Sequence, residues 1–184
     1  MSCEKLIKMF YKAATSSSKI RNILTPVGAI FFFTFTLLFI VVSLWVDKFL
    51  GFPKLLPSSL NIIVSLPILA IGLLLILWSI LHFLKVKGTP VLFNPPPQLV
   101  STGPYAYVRN PMLTGVFILL FGLVILFRSI SLVFIFTPLF ILLNVIELKA
   151  VEEQELERRL GKEYVEYKRR TPMFIPRLKV KTKK

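Results

Sequence analysis

Ser101-Thr-Gly-Pro-Tyr-Ala-Tyr-Val-Arg-Asn-Pro-Met-Leu-Thr-Gly115 leads straight into an uncharged apolar run that lasts to Phe127. Arg128 and Ser129 interrupt it, and a second uncharged run then extends from Ile130 to Ile146. Two residues leave room only for a tight reversal, so Pro111 to Phe127 and Ile130 to Ile146 read as a helical hairpin. A lone arginine at its tip can lay its aliphatic stem along apolar surface and set its charge at the far interface. The reversal also returns the chain to the depth at which it entered. Glu152 lies about 9 Å beyond Ile146 at a helical rise of ~1.5 Å per residue. The pair Glu152-Glu153 and the turn from Tyr105 to Asn110 are therefore expected at one level, although about forty residues separate them.

Two more apolar segments lie upstream. Pro26 to Val46 and Leu60 to Leu84 carry no Asp, Glu, Lys or Arg, and each is long enough to cross a hydrocarbon core, which takes about 20 helical residues. Pro67 predicts a kink that neighbouring helices can accommodate. Gly115 and Gly122 are seven residues apart, fall on nearly one side of their helix, and predict close packing on a neighbour. With 55% of its 184 residues hydrophobic, the chain reads as an integral membrane protein rather than a soluble domain. The first long apolar run is of spanning length, so no cleavable signal peptide is expected.

The net charge of +14 would point to nucleic acid in a soluble protein. Here the charges sit at the ends and in loops. If four spans alternate sides, twenty Lys and Arg fall on one face and three on the other. The positive-inside rule then places both termini in the cytoplasm. From Lys162 onward nine basic residues face two acidic ones. Lys168 to Arg170 and Lys179 to Lys184 read as a clamp on anionic headgroups, worth ~1 kcal/mol per residue near the surface; nucleic-acid binding is not expected.

Lys5, Lys8 and Lys12 on one side of Glu4 to Ala14, and Leu6, Met9, Phe10 and Ala13 on another, predict an N-terminal interfacial helix. Thr89 to Pro104, with Asn94-Pro-Pro-Pro97 and Gly103-Pro104, cannot be helical and is expected to be extended and to end in a turn. From Glu147 to Leu160 the fourth helix is expected to leave the membrane as an amphipathic helix, with Leu148, Val151, Leu156 and Leu160 inside and Gly161 as its cap. The predicted fold is all-α. It is a single membrane domain over residues 1–184: an interfacial segment 1–25, two spans within 26–88, a functional half 89–177 with the hairpin, and a basic tail 178–184.

Glu152 is four residues from both Leu148 and Leu156, so it lies close to the apolar stripe. A carboxylate facing inward at a membrane surface is costly unless paired. Arg109 is one available partner, with Glu153, Glu155 and Glu157 left to solvent; a cationic ligand shared with the turn is the other. Cys3 is the only cysteine and His82 the only histidine. No disulfide or metal site is therefore expected, and His82 reads as an interfacial side chain. Trp45 and Trp78, near span ends, fit an aromatic belt.

Gly103-Pro-Tyr-Ala-Tyr-Val-Arg-Asn-Pro-Met-Leu-Thr-Gly115 resembles the G-P-Y-x-x-x-R-[HN]-P-x-Y-x-G signature of the isoprenylcysteine carboxyl methyltransferase and phospholipid methyltransferase superfamily. Glu152-Glu153-x-x-Leu156, Leu160-Gly161-x-x-Tyr164-x-x-Tyr167 and Pro172 to Pro176 resemble its second block. The resemblance implies a membrane methyltransferase that binds S-adenosylmethionine near the cytosolic interface. Matched position by position, Gln98, Leu99, Val100, Tyr105, Asn110, Pro111, Met112, Leu113 and Glu152 would contact the cofactor. Glu153 would lie beside them as a candidate base for an ammonium acceptor. A tyrosine face and carboxylates suit a sulfonium cation.

Leu113 stands where the superfamily has tyrosine, and Asn110 where its better-known members have histidine. Leu148 and Lys149 occupy the place of an arginine that holds the carboxylate of prenylcysteine substrates. Lys149 is then the candidate for substrate contact, and the acceptor is expected to be a lipophilic or small membrane-delivered carboxylate, amine or thiol. Two other functions fit less of the pattern: an NADPH-dependent membrane reductase of the steroid 5-alpha-reductase type, and a non-catalytic four-helix protein that binds lipid or a partner.

Overall fold

Glycines let two helices meet backbone to backbone. In the computed structural model, α1 spans Ser18–Leu50, α2 spans Ser58–Lys85 and α3 spans Pro111–Phe127. A Cβ added at Gly72 of α2 would lie 2.9 Å from the Gly115 carbonyl oxygen, and one at Gly115 would lie 2.8 Å from that of Gly72. At Gly122 an added Cβ would meet the Leu69 side chain at 2.7 Å. The neighbour expected of Gly115 and Gly122 is thus α2, which supplies a glycine of its own. Dispersion between closely packed surfaces holds such helices together where lipid removes the hydrophobic drive.

The structure describes residues 18–85 and 98–176, together with 4, 5, 8, 11 and 12. Cys3, Asn94 to Pro97 and the tail from Arg177 fall outside them. The expected interfacial helix is described only at residues 4, 5, 8, 11 and 12, which are helical and exposed, with Lys8 paired to Glu4 at 3.1 Å. Among the described residues there is no strand.

The hairpin turns where expected. Arg128 adopts the left-handed backbone that reverses the chain, with φ at +59°. The fourth helix, α4, covers Leu132–Leu160. It is α-helical over Thr137–Glu147 and Glu153–Leu160, but widens to π-helical turns at Leu132–Phe136 and Leu148–Glu152. Gly161, at φ +59° and ψ −134°, ends it, its N–H donating to the Glu157 carbonyl at 3.0 Å. A further helix, α5, follows at Lys162–Arg170.

At the hairpin tip the polar groups bind one another. Ser131 N–H donates to Asp47 Oδ1 at 2.9 Å, and its hydroxyl to the Ser43 carbonyl at 2.7 Å. Leu132 N–H donates to Ser129 Oγ at 3.0 Å, and Asn61 Nδ2 to the Leu126 carbonyl at 2.8 Å. Asp47, Ser43, Ser129 and Ser131 are all buried. They tie α1 to the tip, and Asn61 ties α2 to it. Mid-bundle, Val116, Phe117, Leu120 and Phe140 form the core. Phe140 meets the rings of Phe32, Phe35, Phe39 and Phe117 at centroid distances of 5.7 to 6.3 Å, within the range of favourable aromatic pairs.

Asn22–Leu50, Ser59–Lys85 and Leu132–Leu160 are long and apolar enough to cross a membrane; Pro111–Phe127 is apolar but shorter. Trp45 and Trp78 are exposed, as a belt position requires. This is an integral membrane architecture.

Candidate functional site

At the end of the bundle away from the tip, Gly103–Ala106 forms a 3-10 turn. Gly103 has φ +59°, and an added Cβ would strike the His82 ring at 2.6 Å, so both conformation and space require glycine. His82 Nε2 lies 2.9 Å from Thr102 Oγ1. The histidine read as merely interfacial therefore holds the turn. Tyr105 is buried, its ring edge-on to Phe83 at 4.8 Å. From the other side Tyr167 Oη donates to the Tyr105 carbonyl at 2.7 Å.

Pro111 starts α3 at a position where no N–H is needed. Asn110 precedes it, and its side chain makes no capping hydrogen bond. The chain after α5 runs back along this turn: Arg109 N–H donates to the Pro172 carbonyl at 2.8 Å, and Asn110 N–H to that of Met173 at 3.2 Å. Phe174 follows onto Phe117 with ring centroids 5.2 Å apart.

These elements enclose a cavity of about 630 Å³, within the usual range for small-molecule sites. Gln98, Leu99, Val100, Tyr105, Asn110, Met112, Leu113 and Glu152 all line it. Pro111 is buried but not part of the lining. Lys149 is exposed and points elsewhere than the cavity wall. Leu148, Leu156 and Leu160 of the expected stripe do line it.

Glu153 is not in the lining either. It is buried, its Oε1 bound by Arg109 and its Oε2 by Lys168 Nζ at 2.6 Å. The arginine weighed as a partner for Glu152 is thus taken by the next residue. Lys168 also reaches Glu157 at 2.9 Å. These two bonds, Glu153 first, hold its ammonium above the usual lysine range. The headgroup clamp expected over Lys168 to Arg170 accordingly leaves only Arg169 and Arg170 exposed.

Seven polar cavity residues were not singled out as site residues in the sequence: Arg109, Asn144, Glu147, Glu155, Arg159, Tyr164 and Tyr167. Arg159 is bound by Glu155 at 2.8 Å. The tyrosines at this end are neutral hydrogen-bonding groups. Burial pushes Tyr105, Tyr164 and Tyr167 above the usual phenol range; Tyr167 and Glu152 add to the effect at Tyr105. Among the described residues, Glu147 and Glu152 form no ion pair, and no group of three His, Cys, Asp or Glu side chains could hold a metal ion.

The profile of the phospholipid methyltransferase family matches residues 60–163, more than half the chain and most of the cavity wall. The chain belongs to that family. A curated relative, nickel-cobalt-cadmium resistance protein NccN of Alcaligenes xylosoxydans xylosoxydans, is 34% identical over 102 residues. The match covers 55% of this chain and 43% of the relative, so the chain spans less than half that protein's length. No solved structure matches. The cavity has a polar end and an apolar wall. The polar end comes from the turn and the lower part of α4. The apolar wall comes from α1 and α3, with Phe31, Phe32, Phe35, Leu113 and Val116.

Proposed function

We propose that the protein transfers a methyl group from S-adenosylmethionine to a lipophilic acceptor that enters from the bilayer. The observation that carries this reading is the cavity itself. It joins two carboxylates with no ion pair among the described residues, a buried tyrosine and an asparagine that makes no capping bond to a phenylalanine-rich wall. The donor set suits a group bearing a sulfonium, an ammonium, a carboxylate and ribose hydroxyls. Glu152 and the Tyr105 ring would hold the cations, Asn110 and Gln98 would hydrogen-bond, and Arg159 would face the carboxylate. Bound there, S-adenosylmethionine supplies an electrophilic methyl. The chain's own residues bind and orient it, exclude water, and leave the apolar wall to position the acceptor.

Phe31 and Phe33 line the cavity yet are 72% and 66% exposed on the outer surface of α1, which supports lateral access for a lipid-soluble acceptor. The turn and the strap after α5 are the natural cytosolic side for the donor. In this reading all four helices span, α3 doing so as the shorter arm of the hairpin, and both termini are cytoplasmic. The asymmetry of twenty basic residues against three supports that orientation. Glu153, fixed by Arg109 and Lys168, braces the site, and Lys149 contacts headgroups or solvent. The exposed Arg169 and Arg170, with the tail, meet anionic lipid.

The test is transfer of labelled methyl from S-adenosylmethionine into lipid extract by the protein in nanodiscs, with oxidation of NADPH as comparator. Label in the organic phase, blocked by S-adenosylhomocysteine, is expected. NADPH oxidation without methyl transfer would replace the reading with the reductase.

A further inference from the structure

From Pro26 to Leu84, and again from Pro111 to Ile146, the chain has only three Lys or Arg: Lys48, Lys54 and Arg128. All three fall at the hairpin tip. In the orientation proposed above this is the face that the positive-inside rule leaves poor in cations, yet the three it has are drawn to one place.

The backbone gathers them. Lys48 lies in the last turn of α1. Gly51, at φ +66°, takes the left-handed conformation that closes a helix, and Phe52 N–H donates back to the Asp47 carbonyl at 3.0 Å. A few residues on, Leu55 N–H donates to the Arg128 carbonyl at 3.1 Å, which places Lys54 beside the tip. Lys48 and Lys54 line one hollow of about 550 Å³, with Leu44, Phe52 and Phe127 as its apolar surface. Arg128 follows Phe127 directly, and its Nε is buried with no hydrogen-bond partner. Trp45 and Phe49, exposed and stacked with centroids 5.3 Å apart, mark this level of α1 as a membrane interface.

Two of these cations have a local reason for their position. Lys48 and Arg128 each end a helix, where backbone carbonyls favour positive charge. Lys54 stands in the loop and has no such reason. Arg128 also holds φ +59°, a conformation that glycine would adopt without strain. The acid at hand, Asp47, is buried with its Oδ1 on Ser131 N–H. Among the described residues no ion pair reaches Lys48, Lys54 or Arg128. Even with Asp47 counted against them, three cations leave a surplus of two positive charges. Like charges around one hollow repel unless an anion lies among them.

We propose that this hollow holds the phosphate of an anionic phospholipid, in the leaflet opposite the large cavity. Lys48 and Lys54 take the phosphate oxygens, and the Arg128 guanidinium adds its charge from the tip. The acyl chains lie on Leu44 and Phe127 and continue along the exposed outer surface of α1. A choline headgroup brings an ammonium of its own, which the three cations repel; a glycerol headgroup does not. The lipid bridges α1 to the α3–α4 tip and reinforces the bond from Asp47 to Ser131. The proposal is independent of the reaction at the other end of the bundle.

The test follows the melting temperature of the full chain in dodecylmaltoside during titration with dioleoylphosphatidylglycerol, dioleoylphosphatidylcholine or inorganic phosphate. The glycerol lipid should raise it by about 5 °C near saturation, and the other two by much less. Lys54→Gln alters an exposed loop side chain, so the variant should fold as the wild type does. It should need about tenfold more lipid for half the shift, and Lys48→Gln/Lys54→Gln should abolish the shift. Arg169→Gln/Arg170→Gln, at the cavity end, should keep it. Loss of the shift in the arginine pair with retention in the lysine pair would move the lipid to α5 and overturn the proposal. Equal shifts in every variant, or none in the wild type, would overturn it too. Equal stabilisation by inorganic phosphate would replace the lipid with a free anion, and equal stabilisation by the choline lipid would remove the charge selection on which the proposal stands.

Discussion

The two ends of the α3–α4 hairpin are both polar, but their polar groups have opposite fates. At the tip, Asp47 and the three serines at 43, 129 and 131 hydrogen-bond to the chain itself and are buried. At the other end Glu147 and Glu152 face a cavity with no cation bound to them among the described residues, while Glu153 beside them is fully engaged. Carboxylates occur at both ends, so their presence alone does not mark the site. The distinction is whether the protein satisfies them. A satisfied one locks helices together; an unsatisfied one is kept at a cost to stability that a bound cation would offset.

The largest expected effect breaks the site end alone. Glu152→Ala should lower affinity for S-adenosylhomocysteine at least a hundredfold while leaving the melting temperature unchanged or higher, as checked by titration and thermal denaturation in detergent. Gly115→Leu should have the reverse profile. Its side chain would collide with Ile76 and the Gly72 carbonyl, and overpacking of this kind costs ~1–3 kcal/mol or more. Chemical denaturation should show lost stability. Asp47→Ala comes next: it strands the buried Ser131 N–H, at a cost of ~1–3 kcal/mol. Affinity for S-adenosylhomocysteine, measured on the folded fraction, should not change.

The smallest effect belongs to Tyr167→Phe, which removes the donor to the Tyr105 carbonyl and should cost about 1 kcal/mol. It also carries a pH signature. Burial raises the Tyr167 phenol above its ordinary value, so the folded state holds that proton more tightly than the unfolded state does. The resulting stability is fully present below the ordinary phenol pKa of about 10 and is lost as pH rises beyond it. Denaturation from pH 9 to 11 should show a steeper loss in the wild type than in Tyr167→Phe.

Much of this was legible in the residues. The hairpin limits were readable because Arg128-Ser129 is the only interruption between two apolar runs. The glycine pair announced close packing, although its partner, Gly72, lies in another helix and only the fold joins them. Eight of nine residues matched to the cofactor line one cavity, because the turn and the Glu152 block are both sequence-local motifs. What stayed hidden depends on backbone geometry or long-range contact. The two π-helical turns leave no propensity signal, and without the second of them Glu147 would be read as a residue at the membrane exit. That Arg109 binds Glu153 rather than Glu152 depends on the same rotation. The strap from Pro172 to Phe174 and the contact of His82 with Thr102 join segments that nothing in local pattern pairs.

The most direct test of the contrast between the ends is calorimetric titration of S-adenosylhomocysteine into the wild type, Glu152→Ala and Asp47→Ala. The account predicts saturable binding of one equivalent to the wild type, the same affinity in Asp47→Ala, and none in Glu152→Ala. Equal binding by all three, or no binding by the folded wild type, would contradict it.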